Sequence, residues 1–360
     1  MIDSSGSAAD TRHALDRARK DLAIQSLRGL AVVLMVSGHI VGGHAEQGMQ
    51  VDAGSLWHYF TVGLEDIRMP LFTLLSGLVY ALRPVHTVQD YRRMVRGKSR
   101  RLLLPLLSVG TVLFALLFLV PWTNWTPALD DYWRVFAYGF KHLWFLQAIF
   151  LVFLVVAVLD LFGLLASVRR WQLATLAAMV TFVVVNLPPE ADVFSINGAL
   201  RLLPFFLLGY GMQRHGRLDA RGWDAAVVSA MFVAAYGAKW LLLEDVWSPS
   251  ELTRRTLSVI VGALGVVLVY SARQYLSSRL LAWIGGFSFA VYLLHVFGLS
   301  VSDTVLYLAG VDNHVVVFGL GLLVGVGGPI LFQRVLERRW AWLLLVLLGE
   351  RPRAPKPVQR

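Results

Sequence analysis

Mostly apolar runs long enough to cross hydrocarbon recur from Leu22 to Val335, and they constrain this chain more than any other feature. A spanning helix needs roughly twenty such residues, fewer where neighbours shield it. Ten segments qualify: Leu22–Val41, Tyr59–Leu82, Leu102–Val120, Leu143–Leu164, Leu173–Leu187, Ile196–Met212, Trp223–Leu243, Thr256–Ser271, Leu281–Val301 and Val315–Val335. The fold class expected is therefore all-α, a polytopic integral membrane protein of about ten transmembrane helices. Composition agrees: 57% of residues are hydrophobic and 16% charged, against about 25% charged in soluble proteins. That leaves no room for a sizeable aqueous domain. The expected organisation is an N-terminal tail over residues 1–21, a membrane domain over 22–338, and an interfacial segment with a basic tail over 339–360.

The net charge of +10 is explained by its placement. With the N-terminus inside, ten spans put about 25 of the 33 Lys and Arg residues on the cytoplasmic side, as the positive-inside rule requires. The outer loops then gather Glu46, Asp52, Asp130, Asp131, Glu190, Asp192, Glu244, Asp245, Glu251 and Asp312, and Trp122, Trp125, Trp133 and Trp247 fall at the outer interface. Both termini are expected in the cytoplasm, with membrane lipids rather than nucleic acid as the partner of the basic residues. The first twenty residues are polar and carry acids, so they are neither a signal core nor a transit peptide. With no cysteine in the chain, thiolate metal sites and a thiol nucleophile are excluded. Walker A, HExxH and GxSxG signatures are also missing. Catalytic groups would have to be His, Arg, acids and hydroxyls spread over helices, and no metal is expected.

Several polar residues stand where hydrocarbon makes them costly, about 2.5–3.5 kcal/mol for a charge at a helix centre. Arg28 and His39 share the first span; eleven residues are about three turns, so both lie on one helix face about 16 Å apart along the axis. That face either lines an interior path or carries a snorkelling arginine and a polar outer end. The second span opens with Glu65, Asp66 and Arg68 before Met69-Pro70. A carboxylate there would orient an imidazole, or would simply pair with Arg68. Residues 83–101 hold seven basic residues, among them Arg93, Arg96, Lys98 and Arg101, against Asp90 alone. Such a loop suits a polyphosphate or anionic lipid headgroups. Ser288, Tyr292 and His295, spaced by four and three, fall on one side of the ninth span, as a functional set or as a core histidine satisfied by a tyrosine. Arg201 and Lys239 are further intramembrane cations to which the sequence assigns no chemistry.

Six fragments in register then resemble the membrane acyltransferase 3 family. Ser26-Leu27-Arg28-Gly29-Leu30 through Gly38-His39 is similar to its R-x10-H opening, and Met69-Pro70-Leu71-Phe72 to Ser76-Gly77 to its second-span signature. Lys98-Ser99-Arg100-Arg101-Leu102-Leu103-Leu104-Pro105 resembles its K-x-x-R-L-L-x-P pattern. Leu143-Trp144-Phe145-Leu146, Phe205-Phe206-Leu207-Leu208-Gly209-Tyr210 and the segment from Ile284 to His295 follow in order.

The resemblance implies a multi-pass O-acyltransferase of the bacterial inner membrane. It would carry acetyl from cytoplasmic acetyl-CoA to a hydroxyl of a cell-surface or lipid-linked carbohydrate. It implies a catalytic role for His39, as general base or as acyl acceptor, with Arg28 as its partner and Lys98 and Arg101 holding CoA with the neighbouring Arg93 and Arg96. Glu65, Asp66, Tyr292 and His295 complete the expected catalytic set. Arg68 departs from the pattern, since many members have His there. Some relatives carry a further extracytoplasmic hydrolase-like domain, so transfer here is expected to be completed alone or with a separate partner. A transporter using the same polar interior is the rival reading, and the acceptor and the oligomeric state are not legible.

Overall fold

The computed structural model describes residues 5–42, 48–120, 126–216, 220, 222–243, 246 and 248–351, with side chains from residue 22 onward. Glu46, Trp122, Trp125, Arg217, Arg221, Glu244, Asp245, Trp247 and the tail from residue 352 lie outside the described residues. Among those described, the chain forms helices and no strand. In chain order they are α1 (Ser5–Val41), α2 (Leu56–Gly63), α3 (Glu65–Tyr80), α4 (Val88–Lys98), α5 (Leu104–Leu119), α6 (Arg134–Ala137), α7 (Trp144–Leu161) and α8 (Val168–Val184). There follow α9 (Ile196–His215), α10 (Trp223–Leu243), α11 (Glu251–Ser271), α12 (Arg279–Gly286), α13 (Ser288–Leu308), α14 (His314–Arg339) and α15 (Ala341–Leu348).

Among the described residues, eight helical stretches are long and apolar enough to cross a membrane. Large apolar side chains are left bare, Val233 at 68%, Leu119 at 71% and Leu308 at 79% exposed, a surface that lipid rather than water accommodates. This is an all-α, multi-pass membrane protein. The expected second span divides at Leu64, whose φ of −93° and ψ of 0° leave the helical region. Gly63 weakens the helix just before it, and Glu65 and Asp66 open α3 with acids that its dipole favours. The longer piece, α3, has 16 residues. The fifth expected span falls on α8, with 17 residues. The ninth divides at Phe287, after two glycines. The N-terminal tail continues into the first span as one helix from Ser5.

The chain divides into two compact units. The first comprises Met1–Leu75, Leu218–Trp247 and Ile260–Val326. Its organising contact is the crossing of α1 and α12. A methyl on Gly29 would overlap the Leu281 carbonyl oxygen, and one on Gly285 would overlap that of Gln25. Only glycine permits so close a backbone approach. Ser26 Oγ lies 3.0 Å from Ser278 O and accepts the Ser278 N–H at 3.0 Å, fixing the start of α12 against α1. Helix α13 also packs on α1.

The second unit comprises Ser76–Arg217, Ser248–Val259 and Gly327–Arg360. Here α9 packs on α7 and α8, and Trp171 Nε1 donates to Leu207 O at 2.6 Å. Between α4 and α5 the chain makes a π-helical turn, Ser99–Leu103. Pro105 has no N–H for the carbonyl four residues back, and the turn before it widens so that Leu104 N–H reaches Ser99 O. Helix α15 packs along α5, with Ser108 Oγ donating to Val346 O at 2.7 Å. The segment expected to lie along the membrane surface therefore has a helical partner.

Candidate active site

In the first unit, His39 occupies the last turn of α1, with its ring accessible. Its Nδ1 lies 2.9 Å from Met35 O. A carbonyl only accepts, so in the neutral ring Nδ1 carries the proton and Nε2 carries the lone pair. The ring of His295 meets it edge-on, with centroids 4.8 Å apart and planes at 69°. His295 is fully buried, and its Nδ1 lies 2.8 Å from Tyr292 O and 3.2 Å from Val291 O, which fixes the same tautomer. Ser288 and Tyr292 are buried on the same helix. The spacing of the sequence thus brings His39 and His295 together. Arg28, three turns earlier on the unbroken α1, is half-buried.

The carboxylates divide. Glu65 is exposed, whereas Asp66 is buried. Asp66 Oδ2 accepts from Lys239 Nζ at 2.7 Å, and the same ammonium donates to Val62 O at 2.9 Å. Arg68 Nη2 donates to Thr61 O at 3.1 Å. Two cations therefore hold the last carbonyls of α2, where a helix C-terminus favours positive charge. Sequence reasoning placed Lys239 in the membrane without a partner, because its carboxylate is 173 positions away.

In the second unit, Lys98 Nζ stands 3.5 Å from the centre of the Phe153 ring, a cation–π contact. Arg101 pairs with Glu350 at 3.2 Å and Arg93 with Asp90 at 3.3 Å, and Arg96 is exposed. Such exposed pairs are screened by solvent and weak, so an incoming phosphate can displace them. Arg100 Nε donates to Gly349 O at 3.2 Å, so the turn after α15 rests on the basic π-helical turn.

The sequence profile of the acyltransferase domain family matches residues 21–334. The chain belongs to that family. Among curated relatives of this acyltransferase family member, nodulation protein NolL of Mesorhizobium japonicum is 28% identical over 194 residues, 53% of this chain and 47% of that protein. The chain thus spans about half the length of NolL. The exopolysaccharide production protein ExoZ of Rhizobium meliloti is 24% identical over 307 residues, 78% of this chain and 92% of that protein. No solved structure matches the chain.

One buried group of this family member escaped the sequence reading. Asp160, at the end of α7, accepts from Tyr80 Oη at 3.0 Å, Tyr210 Oη at 2.8 Å and the Val85 N–H at 3.2 Å. A lone acid near the end of an apolar run reads as a span boundary, and nothing local announces its three donors. Arg68 also acquires a definite setting: a methyl on Gly38 would overlap its Nη1, so the guanidinium lies against the residue that precedes His39.

Proposed function

We propose that this protein moves an acetyl group from acetyl-CoA to a hydroxyl of a cell-surface or lipid-linked carbohydrate in the bacterial inner membrane, with both termini in the cytoplasm. Membership in the acyltransferase domain family supports the reaction class, and the similarity to an exopolysaccharide production protein supports a carbohydrate acceptor. The observation that carries the reading is His39, whose Nδ1 is engaged by its own helix so that Nε2 acts. Nε2 takes the proton of the acceptor hydroxyl as that oxygen attacks the acetyl carbonyl. When the C–S bond breaks, the sulfur receives that proton, giving an acetyl ester and free CoA. His295, packed edge-on, holds the ring in place, and Arg28 is the partner on the same helix. Lys98, Arg101, Arg93 and Arg96 hold the CoA phosphates, on α4 and the π-helical turn after it, where basic charge is far from balanced by Asp90.

The experiment uses sealed membrane vesicles carrying the native polysaccharide acceptor, supplied with radiolabelled acetyl-CoA. Inside-out vesicles are expected to form base-labile acetyl ester and to release CoA thiol, to which this cysteine-free chain adds no thiol of its own. Right-side-out vesicles are expected to do neither. Ester formation without thiol release, or no turnover in either orientation, would defeat the proposal and favour a conduit. Replacing Lys98 and Arg101 together by Ala is expected to raise KM for acetyl-CoA by about 10-fold or more, at about 1.4 kcal/mol per decade, with KM for the acceptor nearly unchanged. An unaltered KM for acetyl-CoA would return these cations to lipid headgroups.

A further inference from the structure

Acyl transfer from a thioester places negative charge on the carbonyl oxygen in the transition state. A fixed positive donor at that oxygen is commonly the largest single contribution to such a reaction. Three other nitrogen donors of the first unit, Lys239, Arg28 and His295, are poorly suited to this task at His39. Lys239 is occupied by Asp66 and Val62 O. Arg28 is three turns away along α1, about 16 Å. The fully buried His295 turns its Nδ1–H to backbone carbonyls of its own helix.

Arg68 is a charged group beside the turn of α1 that carries His39. It stands one turn into α3, half-buried. Its Nη2 is held at 3.1 Å by the carbonyl of Thr61, near the C-terminal end of α2. Its Nη1 lies so close against Gly38 that even a methyl there would displace it. The guanidinium reaches back across the break at Leu64 to the Thr61 carbonyl. A guanidinium has five N–H groups in a planar fork, so one edge can hold Thr61 while another faces a reacting oxygen. The glycine at position 38 gives that fork its approach to the turn of α1 that carries His39.

We propose that Arg68 is a catalytic residue of this enzyme, stabilising the oxyanion formed when the acetyl thioester is attacked beside His39. The assignment rests on the acyl-transfer reading above. His39 Nε2 takes the hydroxyl proton, the acceptor oxygen bonds to the carbonyl carbon, and the carbonyl electron pair moves onto the oxygen that Arg68 holds. The pair then returns, the C–S bond breaks, and the departing sulfur takes the proton from His39.

The test is turnover in the same inside-out vesicles with radiolabelled acetyl-CoA. Arg68→Gln is expected to lower kcat by about 100- to 1000-fold, the usual effect of removing one such donor, with KM for acetyl-CoA within about threefold. Arg68→Lys, which keeps the charge but not the fork, is expected to lose about 10-fold. Gly38→Ala, which keeps Arg68 but displaces it, is expected to lose kcat as well. A kcat within about threefold of wild type for Arg68→Gln overturns the proposal, as does a loss confined to KM. Should Arg68→Gln fail to insert, Arg68→Lys decides, and an unchanged kcat there overturns the assignment. His39→Ala, run in parallel, separates the two layers. If it is inactive while Arg68→Gln is active, Arg68 alone is misassigned; if it too is active, the reading centred on His39 falls and this proposal with it.

Discussion

His39→Ala is expected to lower the proposed acetyl transfer by about 10³-fold while the protein is made, inserted and folded as before. The size follows from the role proposed for the imidazole, since a positioned general base contributes about 10²–10⁴-fold. Folding is spared because the ring is accessible and gives up one bond to Met35 O within its own helix and its edge-on contact with His295. Removing one polar group from a span also eases insertion rather than hindering it. His295 cannot take over: it is fully buried and faces backbone carbonyls through Nδ1. His295→Ala should cost less activity and more stability, because it opens a cavity in the α1–α13 packing. The measurement is ester formed per mole of inserted protein, alongside thermal melting of both variants. His39→Ala within about threefold of wild type would remove His39 from the chemistry.

The features legible in the sequence are those set by local spacing. Eleven residues on one helix put Arg28 and His39 on one face, and intervals of four and three put Ser288, Tyr292 and His295 on another. Two such faces meet where the imidazoles touch. The breaks at Leu64 and Phe287 were not legible, because an apolar run interrupted by a single non-helical residue keeps its hydropathy. Pairings across long separations were hidden for a related reason. Lys239 finds Asp66, and Asp160 finds Tyr80 and Tyr210, only once helices distant in sequence are packed. Part of the recognisable pattern also serves packing rather than chemistry. In Ser26-Leu27-Arg28-Gly29, Ser26 holds the start of α12, and Gly29 admits the Leu281 carbonyl. In Ile284-Gly285-Gly286, Gly285 admits Gln25 in return.

Lys239→Met destabilises the protein by about 3–5 kcal/mol, the usual cost of stranding one member of a buried ion pair. The side chains of Lys239 and Asp66 are only 10% and 9% exposed and sit 2.7 Å apart, so neither charge has water to fall back on. Asp66→Leu alone is expected to be similarly damaging. The double variant Asp66→Leu/Lys239→Met should recover most of the loss, because replacing a buried pair by apolar groups of similar size is often neutral or better. The remaining deficit reflects Val62 O, which loses the Lys239 ammonium at the end of α2. Melting of the four proteins in lipid nanodiscs gives the coupling energy directly. Transfer activity of the double variant then distinguishes the two roles open to Asp66. A carboxylate needed to orient an imidazole cannot be replaced by leucine at any stability. A carboxylate whose work is to hold Lys239 at the α2–α3 break can be, so long as Arg68 stays on Thr61 O. The expected result is a stable double variant with transfer within about 10-fold of wild type. A stable but inactive one would return Asp66 to the catalytic group.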